Sequence, residues 1–198
     1  MDIVKEGVMV GDSRMQAREL FSAEALRVRI ESLAQEIAAA YKERGSIHTI
    51  TVLNGSLHFA SALRLAIAQV DPSLALHMTS DTIHLASYHG TESSGNVRKI
   101  SDLTGSIDAK HVLIVEDIID TGRTLSVLVG ELLTQNPASL AVAALFRKPE
   151  KLAVPADSLG SEQYIGFDIG PEFVIGYGLD YDDLYRDLPA IYALESAA

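Results

Sequence analysis

One stretch of sequence decides the fold, Val112–Leu125, which reads VLIVEDIIDTGRTL. Its first four residues are apolar, as in a strand that is buried on both faces of a parallel sheet. Two adjacent carboxylates follow, and a loop containing Asp, Thr, Gly and Thr then opens a segment whose leucines recur at helical spacing. Ligands of open α/β sheets bind beyond the carboxyl ends of the strands, so this loop lies where a ligand site is expected.

The loop has the residue types of a phosphate site. The backbone N–H groups of residues 121–125 would lie at a helix N-terminus, where they can hold a phosphate dianion. The hydroxyls of Thr121 and Thr124 add donors, and Gly122 lets the backbone approach a ligand closely. These features predict that the loop binds a phosphate group.

The neighbouring carboxylates suit a sugar. Glu116 and Asp117 can accept hydrogen bonds from vicinal hydroxyls of a ligand that is held by the loop. A structural interpretation is also open, in which Asp120 and Thr121 start a helix as an ordinary N-cap and the two carboxylates are solvated. The buried strand ahead of them favours the ligand site.

Strand and helix patterns alternate on both sides of this stretch, which predicts an α/β core with a parallel sheet. Five segments carry the patterns: a helix capped by Ser22 with apolar residues from Leu26 to Tyr41, a strand over Ile47–Leu53, a helix over Ala60–Val70, and strands over Leu74–Ala86 and Leu140–Phe146. Shorter strands are predicted at Tyr164–Phe167 and Phe173–Tyr177. We assign these, with the first twenty residues, to a small lobe of one domain over 1–198, with its core at about 21–148 and the lobe at about 1–20 and 149–198.

Composition excludes several functions. The 198 residues are 47% hydrophobic, which is enough for a sizeable core, and 16 Lys and Arg against 27 Asp and Glu give a net charge of -11. A broad nucleic-acid footprint or a polybasic membrane surface is therefore not expected. The chain contains no cysteine, its start lacks the order of a signal peptide, and no apolar run reaches the roughly 18 residues of a membrane span. These features predict a cytoplasmic protein.

The Val112–Leu125 segment resembles the phosphoribosyl-pyrophosphate (PRPP) signature of type I phosphoribosyltransferases, in particular the hypoxanthine-guanine branch. The similarity covers roughly residues 45–190. Four further motifs follow the family order: Leu53–Ser56 resembles the pyrophosphate loop, Ser87 and Tyr88 with the Gly/Ser-rich residues after them the flexible lid, Arg147–Pro149 the purine-recognising lysine site, and Phe173–Tyr181 with Arg186–Leu188 the base-binding tail. The resemblance implies a type I core, with a central and mostly parallel sheet flanked by helices, and a small hood lobe.

The activity that the resemblance implies is purine salvage. Such an enzyme moves the 5-phosphoribosyl group from PRPP to hypoxanthine or guanine, giving IMP or GMP and pyrophosphate, with Mg²⁺ as cofactor. Asp120 would be the general base or acid beside purine N7. The loop residues Asp120, Thr121, Gly122, Arg123 and Thr124 would embrace the 5′-phosphate, and Glu116 and Asp117 would hold the ribose hydroxyls and help to bind Mg²⁺.

The remaining implied roles concern the base and the leaving group. Lys148 would donate to the purine 6-oxo group, Phe173 would stack on the base, and the Val174 backbone would meet its edge. Asp180 would bind a second Mg²⁺. Gly55 and Arg186 would contact the pyrophosphate. From the residues alone, Lys148 fits a surface charge equally well.

The sequence leaves three questions open. The family usually carries a basic residue before the glycine of the pyrophosphate loop, often after a cis peptide, and this chain has Asn54. A xanthine-preferring enzyme and a PRPP-site regulator that binds nucleic acid are the alternative functions. Relatives of this kind form dimers or tetramers, so a homodimer or homotetramer is expected.

Overall fold

The structure is a computed structural model that describes residues 7–10, 13–86, 98–99 and 103–195. The lid residues Ser87 and Tyr88 lie outside these ranges. The elements run in the order β1 (Val8–Val10), β2 (Ser13–Phe21), α1 (Ala23–Tyr41), β3 (Ile47–Leu53), α2 (Leu57–Val70), α3 (Pro72–Ala75), β4 (Met78–Ala86), β5 (Arg98–Lys99), β6 (His111–Ile119), α4 (Arg123–Leu133), β7 (Ser139–Arg147), β8 (Glu162–Asp168), β9 (Val174–Ile175) and β10 (Ile191–Glu195). Short 3₁₀ turns cover Pro149–Lys151 and Ala156–Leu159.

The larger sheet has the strand order β5-β4-β3-β6-β7-β8. Strands β4, β3, β6, β7 and β8 pair in parallel, and the short β5 is antiparallel to β4. Along β6, Leu113 and Val115 pack into one apolar cluster with α1 and α2, whereas Val112 and Ile114 pack into the other with α4. Helices therefore cover both faces of the sheet, which confirms the predicted α/β core.

Helix α1 begins where the sequence predicts. The Ser22 hydroxyl accepts a hydrogen bond from the Ala25 N–H at 3.2 Å, and the face from Leu26 to Tyr41 is buried. Helix α2 begins at Leu57, three residues before the predicted Ala60.

The strand predicted over Leu74–Ala86 is wrong at its start, because residues 72–75 form the helical turn α3 and β4 begins at Met78. Pro72 stands at the first helical position, and the Asp71 carboxylate accepts from the N–H groups of Ser73 and Leu74, each at 3.0 Å. Proline at the first position and aspartate at the N-cap are both helix-start signals, and here they outweigh the apolar pattern.

A second, antiparallel sheet with the order β1-β2-β10-β9 forms the small lobe beside the carboxyl ends of the core strands. One assignment to this lobe is wrong: β8, which contains the predicted strand Tyr164–Phe167, pairs with β7 in the core sheet. It is an edge strand without a fully buried residue, so it lacks the apolar run by which an interior strand is recognised. Arg29 covers its outer edge by donating to the carbonyls of Ile165 and Gly166 at 2.7 and 2.8 Å.

Among the described residues, no helix combines the length and the apolar character needed to cross a bilayer.

Candidate active site

The two predicted sugar-binding carboxylates lie inside strand β6 and not after it. Val112–Val115 is completely buried, but the strand continues to Ile119, and Glu116 pairs with Ala144 of β7. Glu116 and Asp117 are half-buried at the carboxyl end of this central strand. Pairing with β7 extends the strand beyond its apolar run, which is why composition alone predicted too early an end.

Burial opposes charge on both carboxylates. It raises the pKa of the Glu116 carboxyl well above its usual range, and the adjacent Asp117 carboxylate raises it further. Burial also raises the pKa of Asp117, although the Ile118 N–H donates to its Oδ1 at 2.7 Å. A ligand that supplies hydroxyl donors or positive charge would stabilise the ionised form of these two carboxyl groups.

The loop after β6 lines a cavity with polar groups. The N-cap of α4 is Gly122, with φ +75°, and not Asp120 or Thr121, although the Thr121 hydroxyl accepts a hydrogen bond from the Arg123 N–H at 3.4 Å. Thr121 is exposed and Thr124 is half-buried. A cavity of about 230 Å³ opens here, and its lining includes Glu116, Asp120, Thr121, Gly122 and Thr124. Helix N–H groups, hydroxyls and a carboxylate thus converge on one space, as a sugar phosphate requires.

A second cavity of about 290 Å³ lies on the other side of Asp120. Its lining includes Asp120, Lys148, Phe173, Val174 and Asp180. Lys148 is not a surface charge: it is 4% exposed, and its Nζ lies 3.1 Å from Asp120 Oδ2. Phe173 is 50% exposed and meets Tyr181 edge-on, with the ring centroids 5.5 Å apart. The half-open aromatic face beside a buried ammonium suits a flat base that carries an oxo group.

Asp120 and Ile118 line both cavities. The end of β6 therefore separates two pockets. The polar groups of one suit a sugar phosphate, and the other contains an aromatic ring and an ammonium group. A molecule that spans the two, such as a nucleotide, would pass directly beside the Asp120 carboxylate.

The loop after β3 is built by close packing. The Leu53–Asn54 peptide is cis, as the family resemblance suggested, and Asn54 is exposed. Gly55 is buried, and a Cβ there would lie 1.5 Å from Asp117 Oδ2. A Cβ on Gly178 would in turn lie 1.9 Å from the Gly55 carbonyl oxygen. Only residues without side chains allow these segments to meet.

Arg186, predicted to contact the pyrophosphate, pairs with Asp180, predicted to bind Mg²⁺. Arg186 Nη1 lies 2.9 Å from Asp180 Oδ1 and donates to the Gly178 carbonyl at 2.8 Å. Arg186 also pairs with Asp183 at 2.9 Å. Across residues 7–10, 13–86, 98–99 and 103–195, no group of three or more His, Cys, Asp or Glu side chains is arranged to hold a metal ion by itself.

Two residues at this site received no individual role from the sequence. Gly178 lies in the predicted base-binding tail, and its close approach to Gly55 joins segments that are far apart in the chain. Lys151 lines the second cavity, with its Nζ 3.5 Å from Asp120 Oδ2. Its spacing of three residues from Lys148 across Pro149 was the available signal, since proline favours a helical turn that brings such residues to one side.

Comparison with known proteins identifies the class. Residues 16–182 match the family described as phosphoribosyl transferase domain. The chain belongs to this family, whose fold the parallel core and antiparallel lobe reproduce.

Individual relatives place the similarity in the hypoxanthine-guanine branch of the family. Hypoxanthine-guanine phosphoribosyltransferase from Mycobacterium avium is 40% identical over 182 residues, which cover 89% of this chain and 84% of that protein. The protein of the same name from Dictyostelium discoideum is 37% identical, covering 91% and 97%. A solved structure of hypoxanthine phosphoribosyltransferase from Trypanosoma cruzi in complex with the product IMP is 39% identical, with a TM-score of 0.80 over 90% of this chain and 94% of that one. The predicted resemblance to the hypoxanthine-guanine branch is confirmed.

Proposed function

We propose that this protein is a purine salvage enzyme that transfers the 5-phosphoribosyl group from PRPP to hypoxanthine or guanine. The products are IMP or GMP and pyrophosphate. The observation that carries the proposal is the position of Asp120, at the junction between a cavity suited to a sugar phosphate and a cavity suited to a base. A reaction that joins a base to ribose C1 needs these two sites side by side.

The 5′-phosphate binds the loop that opens α4. The N–H groups at the start of the helix and the hydroxyls of Thr121 and Thr124 donate to it, assisted by the positive end of the helix dipole. Arg123, exposed at the first turn, adds a cation to a protein whose net charge is negative. Glu116 and Asp117 accept hydrogen bonds from the ribose hydroxyls.

The base binds in the second cavity. Phe173 stacks on the ring, and the buried Val174 offers its backbone to the purine edge. Lys148 donates to the 6-oxo group, which favours hypoxanthine and guanine over adenine because a 6-amino group presents a donor where the ammonium needs an acceptor.

Asp120 acts on the purine N7 proton. Its contribution comes from its position beside that proton, within hydrogen-bond reach of the bound base. Attack at ribose C1 develops positive charge on the sugar, as in glycoside chemistry, and a carboxylate beside that centre stabilises it.

The donor set fits Mg²⁺. Glu116, Asp117 and Asp180 supply the carboxylate oxygens that this ion prefers, and the last two line one cavity. A positive charge there would offset the burial that opposes ionisation of Asp117. Mg²⁺ is usually held by one or two carboxylates together with substrate phosphates, which agrees with the lack of a three-residue metal cluster among the described residues. When bound, the ion neutralises charge on the departing pyrophosphate.

Two contacts complete the site. Gly55 offers its backbone to the pyrophosphate, and Arg186 turns from Asp180 towards the same group. Closure of a lid that contains Ser87 and Tyr88 would exclude water from the reacting centre.

The decisive experiment incubates the purified protein with PRPP, Mg²⁺ and, separately, hypoxanthine, guanine, xanthine and adenine, and measures nucleotide formation chromatographically. IMP and GMP are the expected products, and they should be absent when the metal is chelated. Faster turnover of xanthine would favour the xanthine-preferring alternative. Retention of DNA or RNA in a low-salt filter assay without any turnover would support the regulator, which the net charge of -11 disfavours.

We also propose that the protein is a homodimer or homotetramer in the cytoplasm. Leu57 and Leu65 of α2 are 56% and 64% exposed, and a contact between subunits would remove these apolar side chains from water. Light scattering during size-exclusion chromatography would give the mass, and a monomer would contradict this. A chain without cysteine suits a reducing compartment such as the cytoplasm.

A further inference from the structure

Two backbone hydrogen bonds fasten the chain after β7 to the loop after β6. The Lys148 N–H donates to the Ile119 carbonyl at 2.9 Å, and the Ala153 N–H donates to the Thr121 carbonyl at 3.0 Å. These bonds lie on either side of Asp120. Between them the chain makes a 3₁₀ turn, in which the Lys151 N–H donates to the Lys148 carbonyl at 3.0 Å. The turn places Lys151 beside the Asp120 carboxylate, which Lys148 also contacts.

Both ammonium groups approach the same oxygen of Asp120. Lys148 Nζ lies 3.1 Å from Oδ2 and Lys151 Nζ lies 3.5 Å from it. The other oxygen, Oδ1, accepts no hydrogen bond from any side chain or backbone group in the part of the chain that the structure describes. One side of the carboxylate is therefore held by two cations, while the other side is available to a substrate.

The two lysines differ in their surroundings. The Lys148 side chain is 5% exposed, inside the cavity, whereas the Lys151 side chain is 38% exposed at its rim. A buried ammonium that turns towards a purine 6-oxo group weakens its contact with Asp120, and a half-buried carboxylate without a cation is destabilised. Lys151 has a flexible stem and partial access to water, so it can follow Asp120 without a large desolvation cost.

We infer that Lys151 is a positioning residue for the transfer reaction. It holds Oδ2 of Asp120 when Lys148 engages the base, and so keeps Oδ1 directed at the purine. This inference rests on the proposed function. It assigns to Lys151 no contact with either substrate, so a change at this position alters turnover and leaves substrate binding nearly unchanged.

The test compares three variants with the wild-type protein in steady-state assays with PRPP, Mg²⁺ and hypoxanthine. Lys151→Gln removes the charge and should lower kcat about tenfold while KM for hypoxanthine and for PRPP changes less than twofold. Lys151→Arg keeps the charge and should recover kcat to within about threefold of wild type. Glu150→Gln changes an exposed residue of the same turn and should have wild-type kinetics. Thermal unfolding of each variant verifies that it is folded.

Several outcomes would overturn the inference. Wild-type kcat in Lys151→Gln would do so, and so would a loss confined to KM, which would mean direct contact with a substrate. Failure of Lys151→Arg to recover activity, in a protein that melts like wild type, would exclude the charge as the cause. An inactive wild-type protein would end the proposed function and this inference together, whereas an active one with a normal Lys151→Gln variant would end only the inference.

Discussion

The loops that follow β3 and β6 lie at the same edge of the sheet, on neighbouring parallel strands, yet they are built on opposite principles. The loop after β6 carries the Asp120 carboxylate, a threonine hydroxyl and a helix N-terminus. The loop after β3 has no charged residue over 54–56, and its shape depends on the contacts of Gly55 with Asp117 and Gly178. One loop presents polar groups, and the other leaves space for a close approach of neighbouring segments.

This difference has consequences for substitution. In the loop after β6, removing a functional group should impair chemistry and leave the fold intact. In the loop after β3, adding a single methyl group should displace the residues that perform the chemistry.

Gly55→Ala tests the loop after β3. The new Cβ would lie 1.5 Å from Asp117 Oδ2 and 2.6 Å from its Cγ, so the carboxylate must move away from the Ile118 N–H that now holds it. A misplacement of about 1 Å can cost about a hundredfold in rate, and we expect a loss of that size in kcat/KM. Gly105→Ala is the control, because a Cβ there meets nothing within 4 Å. Equal activity of the two variants would contradict the role of close packing.

Asp120→Asn tests the other loop. The amide keeps the size of the side chain but loses the ability to take a proton, so kcat should fall by about 10²–10⁴. The dissociation constant of PRPP, measured by titration calorimetry, should change much less. Equal losses in turnover and in binding would argue against a general-base role and in favour of a purely electrostatic one.

Gly122→Ala tests how much the glycine at the N-cap of α4 contributes to the stability of the protein. A left-handed residue with a side chain costs about 1–2 kcal/mol, and the new Cβ would lie 2.7 Å from Val154 Cγ2. Denaturant unfolding should report a loss of about that size. Gly130→Ala, inside the same helix and with nothing within 4 Å, should instead gain about 0.5–1 kcal/mol. If both variants lost stability, or both gained it, the cost assigned to the left-handed backbone at Gly122 would be contradicted.

The smallest effect is expected from Asn54→Lys. The exposed position can accept a lysine, and a charged donor exceeds a neutral one by about 1 kcal/mol, so KM for PRPP should fall about threefold to tenfold. Asn54→Gln lengthens the side chain without adding charge and should leave KM unchanged. A lysine variant with the KM of wild type would mean that this loop does not respond to charge.

Local patterns predicted much of this molecule. Helix α1 with its Ser22 cap, strand β3 from Ile47 to Leu53 and the buried start of β6 follow from apolar spacing and capping residues, and the structure has them. Strand β8 could not be found in this way. As a half-buried edge strand it has no apolar run, and only its pairing with β7 assigns it to the core.

The sequence by itself determined the parallel α/β core and the polar groups present over 116–124, because both depend on residues that are neighbours in the chain. Only the tertiary structure decided which distant residues meet. Lys148 reaches Asp120 across 28 residues because β6 and β7 are adjacent, and Gly178 reaches Gly55 because the lobe folds over the core. Such contacts depend on strand order and on close approach of backbones, which no local pattern of side chains encodes.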